Sequence, residues 1–244
     1  MAIETMVYGA NGHMGQILCQ RIEASEDMHL AAKVSHSGGE GIFKAPEEYE
    51  GPLDIVIDFS NHQATEPLLS FCESASVPVV IATTGQTEDE LARIRNASEK
   101  IPVFYSANMS LGIALITKLV RETAAKFPGS DIEVVEIHHN RKLDAPSGTA
   151  IMLAEAAKEA RPDSEIITGR NGHHKREQNE IGISSVRMGN IVGTHEVFFS
   201  TGTQTISIRH EAHDRALFAD GAMDAARYLL GKPSGLYNMD DLVG

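Results

Sequence analysis

The first half of the chain alternates short apolar runs with longer amphipathic segments. The apolar runs are rich in valine and isoleucine, as buried parallel strands are. They are Ile3–Tyr8, Leu30–Ser35, Asp54–Ser60, Val77–Ala82 and Val103–Ser106. The segments between them repeat apolar residues at helical spacing and predict helices at Gln16–Ser25, Gln63–Ser74 and Glu88–Glu99. This alternation indicates an α/β fold with an N-terminal Rossmann-like parallel sheet.

The alternation stops after the amphipathic helix predicted at Leu111–Lys126. A strand at Ile132–Ile137 and an alanine-rich helix at Ala150–Ala160 lead into several strand-like runs, which are separated by turns that contain glycine. These runs are Ile166–Thr168, Ile181–Arg187, Thr194–Ser200 and Gln204–His210. Their order predicts an α+β C-terminal domain with a mixed or antiparallel sheet.

The last segments are expected to belong with the N-terminal sheet. Ala216–Gly231 has the pattern of an apolar helix, and Leu236–Leu242 is predicted to be a short tail that packs back on the first domain. We therefore expect one domain at residues 1–109 and 216–244, and a second domain at residues 110–215.

Composition narrows the class of protein. The chain has 244 residues and a formal net charge of −13 at pH 7, which argues against binding to nucleic acid. No apolar run approaches the roughly 20 residues of a membrane span, and the N-terminus does not resemble a secretory signal. Cys19 and Cys72 both fall in predicted helices and form neither a disulfide framework nor a metal site. We expect a cytoplasmic enzyme that contacts neither nucleic acid nor membrane.

A glycine-rich turn joins the first predicted strand to the first predicted helix. Its glycines are spaced G-x-x-G-x-x-G, at Gly9, Gly12 and Gly15. Glycine permits positive φ angles and lets a pyrophosphate approach the N–H groups of a helix N-terminus, so the turn predicts dinucleotide binding. The alternative is a purely structural strand-to-helix turn.

The end of the second predicted strand bears on which dinucleotide is bound. NAD-selective sites commonly have an acidic residue near this position, whereas this chain has Lys33, Ser35 and His36 there. These residues could accept a 2′-phosphate, so NADPH is favoured over NADH and use of both stays open.

Small polar motifs follow three further strands. Ligands of open α/β sheets bind at the carboxyl ends of the strands, so we expect these loops to converge with the glycine turn on one crevice. The loops are Asp58–Ser60, Thr83–Gly85 and Ala107–Ser110.

The richest candidate chemistry lies between Glu133 and Ala150. His138, His139, Arg141 and Lys142 fall within five residues, and a local cationic site in an acidic protein suggests a small anionic substrate. Ser147, Gly148 and Thr149 precede a predicted helix, whose N-terminus could hold a carboxylate. The alternative is an ordinary N-cap beside surface histidines. Adjacent histidines in an extended segment point to opposite faces, so we expect no metal site.

Together these motifs resemble the dihydrodipicolinate reductase family. The likeness is carried by the glycine turn, the three strand-end motifs and, above all, Glu136–Ala150, and it extends to Arg187–His195 and Arg215–Ala222. The resemblance implies that NADPH or NADH reduces a cyclic dicarboxylate, 4-hydroxy-tetrahydrodipicolinate, in diaminopimelate and lysine biosynthesis. It also implies a homotetramer assembled through the second, substrate-binding domain.

The resemblance also assigns roles to individual residues. His138 would donate the proton, and Lys142 would assist it and engage the substrate. The other expected substrate-binding residues are His139, Ser147, Gly148, Thr149 and Thr84. The expected cofactor-binding residues are Gly9, Ala10, Asn11, Gly12, His13, Met14, Lys33, Ala82, Thr83, Thr84, Ser106, Ala107, Asn108 and Met109.

Some features leave alternatives open. Ala82 stands where the family often has glycine, and this difference could alter how the backbone approaches the nicotinamide. Another two-domain NAD(P)-dependent oxidoreductase acting on a small carboxylate would share the glycine turn but has no reason to contain the His-His-x-x-Lys and Ser-Gly-Thr motifs. A non-enzymatic nucleotide-sensing protein would be favoured only if these residues were missing.

Overall fold

The computed structural model describes residues 2–244, and the chain divides into two compact units. Unit 1 consists of the residues up to Leu111 together with Arg215–Gly244, and unit 2 is Gly112–Asp214. The strands are β1 (Ile3–Tyr8), β2 (Met28–Val34), β3 (Ile55–Asp58), β4 (Val79–Ile81), β5 (Pro102–Tyr105), β6 (Asp131–His138), β7 (Glu165–Thr168), β8 (Glu180–Arg187), β9 (Gly193–Ser200), β10 (Thr205–Ala212) and β11 (Gly235–Tyr237). The α-helices are α1 (His13–Glu23), α2 (Thr65–Ala75), α3 (Glu88–Ser98), α4 (Leu111–Lys126), α5 (Gly148–Ala160), α6 (Ala216–Leu229) and α7 (Met239–Val243).

Unit 1 is built on a six-stranded sheet with the order β11-β5-β4-β3-β1-β2, in which every pairing is parallel. All four residues of β3 are buried, which explains its almost continuous apolar sequence. Helix α1 packs with α6, and α2 packs with α3. The capping box formed by Thr87 and Glu90 fixes the start of α3. This arrangement confirms the predicted Rossmann-like parallel sheet.

The C-terminal segment predicted as a short tail at Leu236–Leu242 contains regular secondary structure. Gly235–Tyr237 forms β11, which pairs in parallel with β5, and Met239–Val243 forms α7. The segment predicted as a short tail thus contains a strand and a helix, and it belongs to the same compact unit as the N-terminal sheet. Leu236 is partly exposed and the strand is three residues long, so its sequence has no apolar run of the kind that marks the other strands.

Unit 2 contains a five-stranded mixed sheet with the order β10-β9-β6-β8-β7. The central strand β6 runs parallel to β8 and antiparallel to β9. Alternate residues of β6 are buried, beginning with Ile132 and Val134, and this face packs against α4 and α5. The mixed sheet predicted for the C-terminal domain is confirmed.

Within the part of the chain that the structure describes, no helix combines the length and apolar character needed to cross a membrane.

Candidate active site

The buried face of β6 changes from apolar to polar at its carboxyl end. Glu136 and His138 follow Ile132 and Val134 on this face, because successive residues of a strand alternate between faces. The neighbouring strands add two more polar side chains, since His195 of β9 lies opposite Glu136 and Arg187 of β8 lies opposite His138. The sheet register therefore brings four titratable or cationic groups together at one end of unit 2.

The Glu136 carboxylate is fully buried and is surrounded by hydrogen-bond donors. Arg187 donates from Nη1 to Oε2 and from Nη2 to Oε1, both at 2.8 Å. His138 Nδ1 lies 2.5 Å from Oε2, and the backbone N–H of Ser147 donates to Oε1 at 3.1 Å. Burial alone would raise the pKa of this carboxyl, but the hydrogen bonds from Arg187, His138, Ser185 and Ser147 lower it to about 2. Glu136 is therefore a buried anion that is held from several sides.

This contact determines which nitrogen of His138 can meet a ligand. Because Glu136 engages Nδ1, Nε2 is the ring nitrogen directed away from the carboxylate. Nε2 lies beside Gly193 of β9, where an added Cβ atom would be only 3.0 Å away. The site thus combines a fixed imidazole ring with a neighbour that has no side chain.

His195 supports the same corner of the site. Its ring packs edge-on against His138, with centroids 5.0 Å apart and an interplanar angle of 72°. Its Nε2 lies 3.0 Å from Ser147 Oγ, while Nδ1 is buried with no hydrogen-bond partner among the described residues. Burial, and to a lesser extent the nearby His138, lowers the pKa of His195 to about 4. His195 is therefore neutral near pH 7.

Ser147 caps the N-terminus of α5. Its Oγ accepts a hydrogen bond from the backbone N–H of Ala150 at 3.2 Å. The helix begins at Gly148, two residues earlier than the predicted start at Ala150, and its first turn contains no acidic residue. The space around Gly148 is open, since an added Cβ would meet none of the described residues within 4 Å. The positive end of a helix dipole is thus available to an anion beside His138.

Lys142 lies on the loop between β6 and α5. Its Nζ forms an ion pair with Asp144 Oδ1 at 2.8 Å, and this hydrogen bond lowers the pKa of the Asp144 carboxyl. The loop is fixed to the segment after β8, because the backbone N–H of His139 donates to the carbonyl of Ile191 at 2.8 Å. His139 and Lys142 are therefore held on the short loop that directly follows His138, the last residue of β6.

The glycine turn of unit 1 has the close packing expected of a dinucleotide site. Gly9 has a φ of +87°, and a Cβ there would lie 2.6 Å from the carbonyl oxygen of Phe59. A Cβ on Gly15 would lie 2.1 Å from the carbonyl oxygen of Gly9. Helix α1 begins at His13, and within residues 2–244 no side chain caps it and no acidic residue lies in its first turn. This chain's residues therefore fit a dinucleotide whose pyrophosphate meets the N-terminus of α1.

A cavity of about 580 Å³ adjoins the glycine turn at the carboxyl ends of β1, β2 and β3. Gly9, Gly12, Ser35, His36 and Ser60 contribute to its lining. The structure therefore brings together the glycine turn, the end of β2 and the Asp58–Ser60 loop.

The two remaining strand-end loops are attached to unit 1 in different ways. Thr83 Oγ1 accepts a hydrogen bond from the backbone N–H of Ser60 at 2.8 Å, whereas Thr84 is exposed and lies outside the described lining of the cavity. The Ser106–Met109 loop packs against α6, because a Cβ on Gly221 would lie 1.7 Å from the carbonyl oxygen of Met109. This second loop also lies outside the cavity lining.

Two family models match nearly the whole chain. The model described as "Dihydrodipicolinate reductase, N-terminus" matches residues 3–109, and the model described as "Dihydrodipicolinate reductase, C-terminus" matches residues 112–243. The chain belongs to the dihydrodipicolinate reductase family. The resemblance predicted from the motifs is confirmed.

Individual relatives agree with this assignment to the dihydrodipicolinate reductase family. A protein named 4-hydroxy-tetrahydrodipicolinate reductase from Caldanaerobacter subterraneus subsp. tengcongensis is 42% identical over an alignment of 248 positions, which covers 100% of this chain and 99% of the relative. A protein of the same name from Clostridium tetani is 41% identical, over 98% of this chain and 96% of the relative. The solved structure of dipicolinate-bound dihydrodipicolinate reductase from Paenisporosarcina sp. TG-14 matches with a TM-score of 0.80 and 25% identity over 98% of both chains.

The sequence motifs assigned no role to several residues of this site. Glu136 and Arg187 were part of the family likeness, but their ion pair joins positions 51 residues apart. His195 meets Ser147 across 48 residues. The sheet order alone brings these residues together, so motif spacing gave no signal for them.

Lys33, which was predicted to bind the cofactor, lines a depression between α1 and β2 together with Glu23 and Met28. Its role stays a prediction. A different lysine approaches the loop after β2, because a Cβ on Gly38 would lie 3.0 Å from the Cγ and Cε atoms of Lys44. Asn11 of the glycine turn donates hydrogen bonds to Ser37 Oγ and to the Gly38 carbonyl, at 2.9 and 2.8 Å.

The histidines do not combine into a metal site in the described part of the chain. Within residues 2–244, no group of three His, Cys, Asp or Glu side chains is arranged to hold a metal ion. The expectation that the protein needs no metal stays a prediction.

Proposed function

We propose that the chain reduces 4-hydroxy-tetrahydrodipicolinate to tetrahydrodipicolinate in diaminopimelate and lysine biosynthesis. The reaction consumes NADPH or NADH and a proton, and it releases the oxidised cofactor and water. The observation that carries the proposal is the buried Glu136–His138 pair beside the capped N-terminus of α5, in a member of this reductase family. The dicarboxylate is the small anionic substrate that this local charge suits.

His138 is the proposed proton donor. Reduction of an electron-poor ring leaves negative charge that requires a proton, and the nicotinamide supplies the hydride. The proton leaves from Nε2, while Nδ1 keeps its hydrogen bond to Glu136. Lys142 stabilises the developing charge and engages the substrate once its ion pair with Asp144 is exchanged. Proton delivery and charge stabilisation thus come from the end of β6 and the loop that follows it.

The substrate carboxylates are proposed to bind at the start of α5. Ser147, Gly148 and Thr149 form the N-terminal end of a helix of 13 residues, and the positive end of the helix dipole attracts an anion. His139 is proposed to bind the substrate from the adjoining loop, and Thr84 stays a predicted contact from unit 1.

In unit 1 the proposed cofactor residues fall into two groups. The glycine turn would hold the pyrophosphate through Gly9, Ala10, Asn11, Gly12, His13 and Met14. The loops proposed for the nicotinamide side are Ala82, Thr83, Thr84, Ser106, Ala107, Asn108 and Met109.

For cofactor choice we propose that NADPH is preferred. Ser35 and His36 line the cavity at the end of β2, Ser37 is bonded to the glycine turn, and Lys44 lies over the same loop. Hydroxyl groups and cations of this kind suit a 2′-phosphate. We expect Lys44→Ala to lower kcat/KM for NADPH about tenfold, or about 1.4 kcal/mol, and to leave kcat/KM for NADH unchanged.

Lys33→Ala is the matched control for Lys44, because Lys33 is the lysine first predicted to bind the cofactor. We expect it to change neither kcat/KM. A lower kcat/KM for NADPH alone in Lys33→Ala, with native values in Lys44→Ala, would show that Lys33 and not Lys44 binds the 2′-phosphate.

A homotetramer and a cytoplasmic location complete the proposal. Val135 and Phe198 are only partly buried and lie on the face of the five-stranded sheet opposite the one that packs against α4 and α5. A second sheet could cover this face in an assembly through unit 2. Light scattering coupled to size-exclusion chromatography would measure the mass, and a monomer would contradict the tetramer.

The decisive test of the activity is steady-state oxidation of NADPH and NADH with freshly generated 4-hydroxy-tetrahydrodipicolinate. General acids contribute about 10²- to 10⁴-fold, so His138→Gln should lower kcat within that range, and Lys142→Ala should lower kcat and raise KM. The dissociation constant of the cofactor should not change in either variant. A native chain that oxidises neither cofactor with this substrate would refute the proposed reaction and favour another oxidoreductase of the same fold.

A further inference from the structure

We infer that Glu136 and Arg187 are positioning residues that fix the tautomer of the proton donor and the helix end that receives the substrate. The inference rests on the proposed function in taking His138 as the donor. It concerns residues that do not meet the substrate but act through others that do.

The first part of the argument is the tautomer of His138. A neutral imidazole carries one N–H, and the hydrogen bond made by one nitrogen decides where that proton resides. Glu136 is ionised and accepts from Nδ1, so the neutral ring keeps its proton on Nδ1. Nε2 is then the nitrogen that loses and regains a proton. A ring without this carboxylate could hold its proton on Nε2 in the opposite tautomer.

The second part is the role of Arg187. Its guanidinium binds both oxygens of Glu136 at 2.8 Å, and this two-point contact fixes the plane of the carboxylate as well as its charge. The hydrogen bonds to Glu136 in turn raise the pKa of Arg187. A lysine could supply the charge, but it could not supply the two parallel hydrogen bonds.

The third part is the connection to α5. Arg187 Nη2 donates to the backbone carbonyl of Asp144 at 2.6 Å, and Glu136 Oε1 accepts the backbone N–H of Ser147 at 3.1 Å. The ion pair therefore holds both ends of the turn that leads into the helix. The same two side chains orient the proton donor and the helix end, which are the two parts of the site that must be aligned with one substrate.

The groups around Glu136 come from each neighbouring element. They are His138 on β6, Ser185 and Arg187 on β8, His195 on β9 and the Ser147 N–H before α5. Among these Arg187 is the permanent cation, since His195 is neutral near pH 7. His138 is a cation only while it holds the proton to be donated, so Arg187 is the residue that matches the charge of Glu136 throughout and also sets its orientation.

The test uses Glu136→Gln, which keeps the shape of the side chain and removes its charge. Glu133→Gln is the matched control, because Glu133 lies on the same strand, on the opposite face, and pairs with Arg176. We expect kcat to fall about 100-fold in Glu136→Gln, with the dissociation constant of the cofactor unchanged, and to stay near the native value in Glu133→Gln. Arg187→Lys should lower kcat about tenfold, because it keeps a cation but loses the two-point contact.

A spectroscopic measurement separates positioning from a merely structural role. Long-range ¹H–¹⁵N correlation spectra at alkaline pH report the tautomer of His138, which is assigned by comparison with His138→Gln. We expect the Nδ1–H tautomer in the native chain and a shift toward Nε2–H in Glu136→Gln. An Nε2–H tautomer in the native chain would overturn the inference, even if Glu136→Gln did not fold.

The spectra also keep this inference distinct from the proposed reaction. A native chain that shows the Nδ1–H tautomer but no turnover would refute the reaction and leave the positioning pair intact. Native kcat in a folded Glu136→Gln variant, on an enzyme that does turn over the substrate, would refute the positioning pair alone.

Discussion

The absence of a side chain at Gly193 should be necessary for fast turnover. A Cβ atom at this position would lie 3.0 Å from His138 Nε2, whereas ordinary van der Waals contact begins at 3.4 Å. In Gly193→Ala the imidazole must therefore move by about 0.4 Å from its native position. A misplacement of 1 Å can cost about 100-fold, so scaling the logarithm of the rate with distance gives a loss of about sixfold, or about 1.1 kcal/mol.

The effect on stability should have the opposite sign. Alanine is more favourable than glycine within a strand by roughly 0.5–1 kcal/mol, which should at least offset the strain of moving the His138 ring beside Glu136, so Gly193→Ala should be at least as stable as the native chain. The assay is kcat under saturating substrate and cofactor, together with urea unfolding of the same preparation. A slower but equally stable enzyme is the expected result.

Gly182→Ala is the matched control. Gly182 also lies in the sheet of unit 2, but the three atoms nearest to a Cβ there would all belong to the carboxylate end of the flexible Glu133 side chain. We expect native kcat in this variant. Native kcat in Gly193→Ala, or an equal loss of kcat in both variants, would refute the claim that a side chain close to His138 Nε2 slows turnover.

Three further predictions concern stability and its dependence on pH. Burial raises the pKa of Asp58 from 3.8 to about 6, so the native chain loses up to about 3 kcal/mol of stability as pH rises from about 4 to about 6. In urea unfolding, the free energy of unfolding of Asp58→Asn should exceed that of the native chain by this amount at neutral pH and should equal it near pH 4. A difference that does not change with pH would contradict this account. Burial lowers the pKa of His195 from 6.5 to about 4, so stability should fall by up to about 3 kcal/mol as pH drops through this range. Tm measured against pH should show a smaller fall in His195→Gln, and parallel curves would show that His195 does not cause the loss. Thr87→Ala removes the hydroxyl that accepts from the Glu90 N–H and should cost about 1 kcal/mol in urea unfolding, whereas an unchanged midpoint would mean that the cap contributes nothing.

Local patterns predicted much of the fold. Apolar periodicity located every strand of unit 1 except β11, and the glycine turn was placed correctly between β1 and α1. Helix boundaries were less accurate, because α1 begins at His13 rather than Gln16 and so includes the last residues of the glycine turn. Caps and tight turns decide such boundaries, and they involve contacts that hydrophobic spacing does not describe.

The candidate site was predictable only where its residues are close in sequence. His138, Lys142 and Ser147 lie on one stretch, and their chemistry could be recognised directly. The bonds that orient them come from Arg187 and His195, which reach the site through the pairing of β6 with β8 and β9. Periodicity predicts that a strand exists but not its neighbours, so these contacts required the structure.

The division of the chain also has a consequence for synthesis. A ribosome completes all of unit 2 before it makes α6 and β11, because residues 112–214 interrupt unit 1. Until then, β5 lacks its outer partner, and β3, β4 and β5 lack the helix that packs on them. The five-stranded sheet of unit 2 can therefore form before the sheet of unit 1 is complete. Until α6 and β11 are made, the sheet of unit 1 has an exposed apolar face to which chaperones can bind.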